Sequence, residues 1–370
     1  MKQLERADSS VDYIKLLAEH SRRAGVAAYT DAAIREFGDL VCSGIKESAT
    51  SEHRIRGLRA EALFMAVVAG IGKVQLIKAE DTGDVCYNGD DIRVPDFRIV
   101  TADSCQMFVE VKVQHVDDVL RSQFRLSDSY VQALGRYCEL AGCDLKIAIF
   151  WEELRLWTLN RLESFNPGIA GEKRWEISLP KALATSEMAS LGDVTVATLA
   201  PIRFRVILDP ARSETIPPGT EGEFNATVSA VQLLSQERLL TGTSAQIAWK
   251  LIWFGKWDEV GDRPHYEEGR LARVDHLLGP PEWAEGSAPD MDPHPVGALS
   301  EMISNAYLRG ATNTIHTTAK GDVLTPGYMG NFIPDNFVSL KLDLPLYMFR
   351  MVPNFEFAEG VPDVPAGKAG

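Results

Sequence analysis

Two acidic residues and one lysine lie on neighbouring extended segments and could together bind a metal ion. Asp96 follows Pro95 on the first segment, and Glu110 and Lys112 lie on the second, beyond a short polar turn. Because side chains alternate along a strand, Glu110 and Lys112 point to the same face. If the two segments pair, Asp96 reaches the same edge. The three groups then form a site for a hard divalent cation and a polarised water molecule.

This set of groups is suited to phosphodiester hydrolysis. That reaction needs a nucleophilic water and a cation that stabilises negative charge on the phosphate and on the leaving oxygen. Carboxylate oxygens are hard ligands that bind Mg²⁺ or Mn²⁺. A lysine beside them can orient or deprotonate the water, or neutralise the charge that develops on the phosphate.

The segment that contains Glu110 has the alternating pattern of a strand with two different faces. One face holds Cys105, Met107, Val109, Val111 and Val113, and the other holds Gln106, Phe108, Glu110, Lys112 and Gln114. The first face is apolar and predicts contact with a core. Cys105 on that face, and Cys138 in a predicted helix, are therefore expected to be buried free thiols.

An upstream helix contributes a further acid, Glu61. The helix is predicted over 51–69, and its core-facing stripe is Leu58, Ala62, Met65 and Ala69. Glu61 falls between Leu58 and Met65 in helical phase, which aims its carboxylate at the buried side, where it needs a cation or a donor. The alternative is a glutamate at the margin of the stripe, paired with an arginine of the same helix.

The predicted elements around these residues follow an α/β order. A helix closed by Gly142 follows the Glu110 strand, and further strands come after it. The strands are predicted at 74–76, 85–87, 94–99, 145–150 and 154–159, and the helix at 129–141. Helix, strands, helix and strand in this order predict an α/β domain.

At this point the chain resembles the PD-(D/E)xK nucleases, the superfamily of restriction-endonuclease-like folds. The matching residues are Pro95-Asp96, then thirteen intervening residues, then Glu110-Val111-Lys112. The resemblance covers residues 50–160, and the helix upstream and the helix and strand downstream fit the order of that fold. It implies a mixed sheet flanked by helices.

The resemblance also implies roles for individual residues. Asp96 and Glu110 would bind Mg²⁺ or Mn²⁺ with help from the carbonyl of Val111. Lys112 would act on the water, and Glu61 would be an additional acid. The alternative is a solvated strand face on which Glu110 and Lys112 form charge pairs and Asp96 is a turn residue.

The chain departs from the pattern of the superfamily on the helix after the Glu110 strand. Some members of the superfamily add a glutamine and a tyrosine four residues apart on that helix, whereas here Gln132 is followed by Tyr137 five residues later. Five helical positions turn through about 500°, so these two side chains do not share a face. Tyr130 or Arg136 could substitute for the tyrosine. Gln132 remains a candidate substrate contact, and the alternative is an ordinary polar helix position.

The sequence changes character after residue 160. Short alternating segments, such as 202–208 and 223–231, are separated by proline-containing turns, which is typical of β structure. We therefore predict a nuclease-like α/β domain at 1–160 and a mainly β domain at 161–370 for recognition, regulation or assembly. The aromatic run from Trp249 to Trp257 alternates as a β-strand would, which favours a core strand over a surface that stacks bases.

Composition excludes several classes of protein. The formal net charge of −14 counts against a protein that coats nucleic acid by bulk electrostatics. The five cysteines have no zinc-ligand spacing, and no phosphate-binding loop of an ATPase is present. No apolar run of about 18 residues or more appears, and the N-terminus lacks the apolar stretch of a signal peptide. We expect a cytoplasmic protein with no membrane segment.

The sequence thus favours a metal-dependent nuclease that acts on DNA, and fold analogy suggests defence against foreign DNA. The alternative is a binding or assembly module that keeps the fold without catalysis, which the acidic charge would suit. Cleavage of both DNA strands by a domain with one site would call for a homodimer. The second half could also bind a small activating ligand.

Overall fold

The structure, a computed structural model, describes residues 13–27, 30–50, 52–80, 85–119, 121–167, 174–281, 292–317, 333 and 340–356. Within these ranges the helices are α1 (Tyr13–Ala24), α2 (Asp31–Thr50), α3 (Glu52–Ile71), α4 (Asp128–Ala141), α5 (Leu179–Ala184), α6 (Gly242–Phe254) and α7 (Leu299–Thr317). The strands are β1 (Leu76–Ala79), β2 (Phe97–Val100), β3 (Gln106–Gln114), β4 (Gln123–Ser127), β5 (Asp144–Trp151), β6 (Leu156–Arg161), β7 (Asn166–Pro167), β8 (Arg174–Ser178), β9 (Thr195–Leu199), β10 (Ile202–Leu208), β11 (Val228–Ser235), β12 (Arg238–Leu239), β13 (Asp258–Glu267), β14 (Arg270–Gly279), β15 (Pro293–Ala298) and β16 (Leu346–Phe349). None of the helices in these ranges is long and apolar enough to cross a membrane.

Five strands form the sheet that contains the predicted metal ligands. Their order is β1-β2-β3-β5-β6. β3 runs parallel to β5, and the other neighbours are antiparallel. A parallel pair requires a crossover connection, which the chain between β3 and β5 provides with α4.

The two faces of β3 pack against different helices, as their alternation predicts. Met107, Val109 and Val111 lie in a core shared with α3. Phe108, on the other face, lies in a core shared with α4. The predicted mixed α/β sheet flanked by helices is therefore confirmed.

Both ends of α4 are capped, which fixes its position over β3. The hydroxyl of Ser127 accepts a hydrogen bond from the backbone N–H of Tyr130 at 3.4 Å, in the first turn. Gly142 ends the helix with φ of 65°, as predicted, a conformation that glycine adopts without a steric penalty. The caps set which residues of α4 face the sheet, namely Val131, Leu134 and Cys138.

Residues after 160 form further sheets together with α5, α6 and α7. One sheet is fully antiparallel with the order β12-β11-β10-β14-β13, and a second has the order β15-β9-β16. β4, from the first half of the chain, pairs with β8 in a third sheet. The predicted strand at 202–208 is confirmed as β10.

Side chains from both sides of residue 160, where the domain boundary is predicted, share one core. That core combines residues of α3, β2, β3 and β5 with residues of α6 and α7. At Gly70 in α3, an added Cβ would lie 3.1 Å from Cγ2 of Ile303 in α7, so glycine permits the close approach of the two helices. The indole N–H of Trp157 in β6 donates to the hydroxyl of Ser304 at 3.1 Å. α7 thus supports the helix and the sheet that position the site.

The buried side of α3 differs from the predicted stripe. Ala62 is exposed and Met65 is half-buried, whereas Leu63, Phe64 and Val67 are buried. The side chain of Leu58 lies outside the described ones. Apolar residues occupy most of the circumference of this helix, so periodicity alone does not identify the face that packs on the sheet.

Two predicted strands are wrong. Residues 85–87 form no strand, and the aromatic run begins inside α6. Residues 247, 248 and 251 are buried together at helical spacing, and this stripe outweighs the strand-like alternation of the tryptophans. Trp249 packs edge-on against Phe204 at 5.4 Å between ring centroids, whereas Trp253 is exposed.

The two cysteines that the sequence predicts as buried differ. Cys138 is buried, and burial raises the pKa of its thiol to about 12. Cys105 is exposed, contrary to the prediction. It precedes β3 and belongs to the turn, where its carbonyl accepts a hydrogen bond from the N–H of Thr101 at 2.9 Å.

Candidate active site

The site forms where the ladder between β2 and β3 ends. The last backbone pair is Phe97 with Val109, and continuation of that register would set Pro95 opposite Val111. Proline has no N–H to donate to a ladder. The N–H of Val111 donates instead to Oδ2 of Asp96 at 2.7 Å. The side chain of Asp96 therefore lies against the backbone of β3.

Glu110 is the most deeply buried of the predicted ligands. It is 2% exposed. Its Oε1 accepts hydrogen bonds from the Lys112 ammonium at 2.5 Å and from the hydroxyl of Tyr130. Its Oε2 is also buried, and within the described part of the chain it receives no hydrogen bond. A buried carboxylate oxygen without a donor is costly, so this atom marks the position where a cation would be most favourable.

The carboxyl of Asp96 has a strongly altered acidity. Burial is the main cause that raises its pKa from 3.8 to about 7, and the negative charge of Glu110 adds to the effect. The hydrogen bond from Val111 and the charge of Lys112 act in the opposite direction but do not cancel it. Negative charge is therefore in excess at this position.

Lys112 is held in its charged form. Burial alone would lower the pKa of its ammonium, but Glu110 and Tyr130 outweigh burial and raise that pKa above its usual value. The ammonium also lies 5.1 Å from the centroid of the Tyr130 ring. Beside Glu110, the lysine acts as a hydrogen-bond donor and a positive charge.

The structure brings Glu61 near this group and turns Gln132 away. Glu61 is half-buried, and its charge contributes to raising the pKa of Asp96. The side chain of Gln132 is exposed and donates to Asp128 at 2.8 Å, one turn earlier on α4. Residues 130 and 132 are about 200° apart around a helix, so Gln132 cannot share the inward direction of Tyr130.

From the sequence, Tyr130 was a candidate only as a substitute for the tyrosine that some members of the superfamily have on this helix. Burial is the main cause that raises the pKa of its phenol, and the charge of Glu110 adds to it. Its spacing of four residues from the buried Leu134 was the available signal, because residues at i and i+4 share a helix face. The contact with Glu110 depends on how α4 crosses β3, which local periodicity does not predict.

These groups fit a hard divalent cation. Asp96 and Glu110 offer carboxylate oxygens, one of them unpartnered, and the backbone of Val111 lies between Glu110 and Lys112 at the same place. Oxygen ligands of this kind suit Mg²⁺ and Mn²⁺. Tyr130 and Lys112 both bond to Oε1 of Glu110, which leaves Oε2 for the cation.

Two groups of side chains within the described ranges, neither of them at the candidate site, have three potential ligand atoms within 4.8 Å of one another. They are His115 with Glu152 and Glu153, and His276 with Glu259 and Asp262. Most of these side chains are exposed. Water can solvate their carboxylates, unlike that of Glu110.

No protein-family model matches the chain, and no curated protein matches it. Among solved structures, Hjc, a Holliday junction resolvase from the archaeal hyperthermophile Archaeoglobus fulgidus, matches 37% of this chain and 96% of its own chain. The identity is 15% and the TM-score is 0.27. A likeness at that TM-score carries no argument about fold or function, so any functional conclusion rests on the geometry of the site.

Proposed function

We propose that this protein is a metal-dependent nuclease of the PD-(D/E)xK kind, with its active site at Asp96, Glu110 and Lys112. The observation that supports this most strongly is the buried, unpartnered Oε2 of Glu110 beside a carboxyl whose pKa is raised to about 7. Glu110, which is buried, and Asp96, which is half-buried, lie beside one lysine, and this leaves negative charge uncompensated. A second cation would remove that cost.

Each residue would have a distinct task. Asp96, Glu110 and the Val111 carbonyl would hold Mg²⁺ or Mn²⁺, and Glu61 would supply a further carboxylate. The bound cation would polarise a water molecule and stabilise negative charge on the phosphate. Lys112, protonated beside Glu110, would orient the water or stabilise that charge by donating hydrogen bonds.

DNA is the substrate that we propose, because the residues match those of a nuclease superfamily whose members include restriction endonucleases. A role in defence against foreign DNA is a further proposal that rests on analogy of fold alone. Since the described residues offer one such site, we propose that cleavage of both strands uses two copies of the protein.

The test is cleavage of plasmid DNA by the purified full-length protein with Mg²⁺ or Mn²⁺, and of RNA in parallel. Asp96→Asn, Glu110→Gln and Lys112→Met should each lower the cleavage rate by at least about 100-fold, as expected when a ligand or a charge-stabilising group is lost. Lys78→Met is the matched control, since Lys78 is a half-exposed lysine at the edge of the same sheet. It should leave the rate unchanged. Undiminished cutting by Asp96→Asn and Lys112→Met would show that this site does not catalyse the cleavage.

A non-catalytic binding module is the second candidate. It is favoured by the contacts of Glu110 with Lys112 and Tyr130, which partly satisfy the carboxylate without a metal. Calorimetry with Mn²⁺ separates the two candidates. Binding that Glu110→Gln abolishes supports the nuclease, whereas an absence of such binding favours the module.

A further inference from the structure

An exposed arginine lies on the outer side of the ring whose hydroxyl contacts Glu110. The guanidinium carbon of Arg93 is 4.3 Å from the centroid of the Tyr130 ring. The ammonium of Lys112 is 5.1 Å from the same centroid. Two cations are therefore gathered around one aromatic ring next to the candidate metal ligands.

The backbone on which Arg93 sits is fixed to α4. The N–H of Arg93 donates to the carbonyl of Ala133 at 2.9 Å. Two residues earlier, the carbonyl of Asp91 accepts a hydrogen bond from Nε of Arg136 at 2.7 Å. This segment leads directly into Pro95, which is buried. Arg93 is thus presented by an anchored segment and not by a free loop.

Among the residues that the structure describes, no carboxylate neutralises the charge of Arg93. Within these ranges Arg93 forms no ion pair, although several other arginines pair with a carboxylate. Arg98, for example, donates from Nε to Gln106 at 3.0 Å. A guanidinium without a carboxylate partner is suited to an anionic ligand.

Stacking on tyrosine favours one class of anion. A guanidinium that lies over an aromatic face keeps its N–H edge directed outward, and that edge matches the oxygens of a phosphate in a bidentate arrangement. Because Tyr130 already restricts the arginine, less side-chain entropy is lost when the phosphate binds. Tyr130 would therefore serve two groups, Glu110 through its hydroxyl and Arg93 through its ring.

We infer that Arg93, supported by Tyr130, binds a phosphodiester group of the substrate strand that neighbours the group hydrolysed at Asp96 and Glu110. This inference rests on the proposed nuclease function. It gives the substrate a second contact that is independent of the metal ligands. The contact would position the strand and would not take part in bond cleavage.

The experiment measures binding of a short DNA duplex by fluorescence anisotropy over a range of salt concentrations, without added metal, and then cleavage kinetics with Mn²⁺. Arg93→Gln should weaken binding about tenfold, as expected for loss of a charge-assisted bond. It should also reduce the slope of log affinity against log salt by about 0.9. KM should rise to a similar extent, while kcat and Mn²⁺ affinity stay unchanged.

Further variants test whether the effect is specific to Arg93 and to the ring of Tyr130. Arg98→Gln removes the same charge from β2, the strand that follows Arg93 along the chain, and should leave the salt slope unchanged. Tyr130→Phe keeps the ring and loses the hydroxyl, so the duplex affinity should persist, whereas Tyr130→Leu should lower it.

The outcomes separate this inference from the function on which it rests. If the wild-type protein cuts DNA and Arg93→Gln leaves KM and the salt slope unchanged, the Arg93 site is wrong and the nuclease stands. A loss of kcat with unchanged KM would likewise overturn a substrate-binding role. If the wild-type protein neither binds nor cuts nucleic acid, the proposed function and this site fall together.

Discussion

Glu187, which contacts side chains of β5 and β6, and the Asp96–Glu110 pair at β2 and β3 differ in how their negative charge is balanced. At β5 and β6, Glu187 accepts hydrogen bonds from Lys146 at 2.6 Å and from Arg161 at 3.0 Å. Burial raises the pKa of that carboxyl, but the two bonds outweigh it and the pKa lies below its usual value. At β2 and β3, Asp96 and Glu110 share one lysine, and the pKa of Asp96 is raised to about 7.

The two groups differ in the number of cationic side chains for each acid. One acid with two cations is satisfied within the protein and stabilises the joint between β5, β6 and the chain that follows. Two acids with one cation are satisfied only by a proton or by a further cation. The first group is therefore structural, and the second has the composition of a binding site.

The largest expected effect that follows from this contrast is the pH dependence of Mn²⁺ binding. Below about pH 7 a cation must displace the proton held by the Asp96–Glu110 pair, so its affinity should fall about tenfold per pH unit. At about pH 6, calorimetry in buffers of different ionisation enthalpy should detect release of roughly one proton per ion. A Mn²⁺ affinity that is constant over this range would contradict the excess of negative charge at the site.

A smaller effect is expected from the lysines of the two groups. Lys146→Met should lower the free energy of unfolding by about 2 kcal/mol, because it leaves a largely buried carboxylate with a single partner. It should not change Mn²⁺ affinity. Lys112→Met should also destabilise the metal-free protein, but Mn²⁺ should restore much of that stability by occupying the same acids. Thermal and urea unfolding with and without Mn²⁺ test this contrast, which fails if Mn²⁺ rescues both variants equally.

The smallest effect concerns Asp96 alone. Its pKa in the folded protein lies above the ordinary value of 3.8, so the ionised carboxyl destabilises the fold fully above about pH 7, and the penalty disappears as pH falls towards about 4. Asp96→Asn should therefore raise the metal-free free energy of unfolding by on the order of 1–2 kcal/mol at about pH 8 and have little effect at about pH 4. Asp103→Asn is the control. The pKa of the exposed Asp103 is lowered by a hydrogen bond from Thr101, so this change should give no stabilisation.

The sequence predicts the relative direction of Glu110 and Lys112 well, because the alternation of side chains along a strand does not depend on which elements pack against that strand. Glu110 and Lys112 share a face of β3 for that reason, and Pro95 gives a local cause for the end of the ladder. The sequence is less informative about helices. α3 is apolar on most sides, so the predicted stripe through Ala62 was wrong even though Glu61 does lie near Asp96.

Contacts between elements account for what the sequence did not predict. The position of Tyr130 depends on the crossing of α4 over β3, and that of Arg93 depends on a backbone hydrogen bond to Ala133. Neither follows from residue spacing within one element. The shared core across residue 160 likewise depends on the packing of α7 against α3, which the composition of the two halves does not indicate.

The most direct test of the central claim is a crystal structure of the protein soaked with Mn²⁺, with anomalous scattering measured to locate the ion. The account predicts a peak between the carboxylates of Asp96 and Glu110, with Oε2 of Glu110 among its ligands. Peaks confined to the two exposed histidine–carboxylate groups, with Glu110 still bonded only to Lys112 and Tyr130, would contradict it.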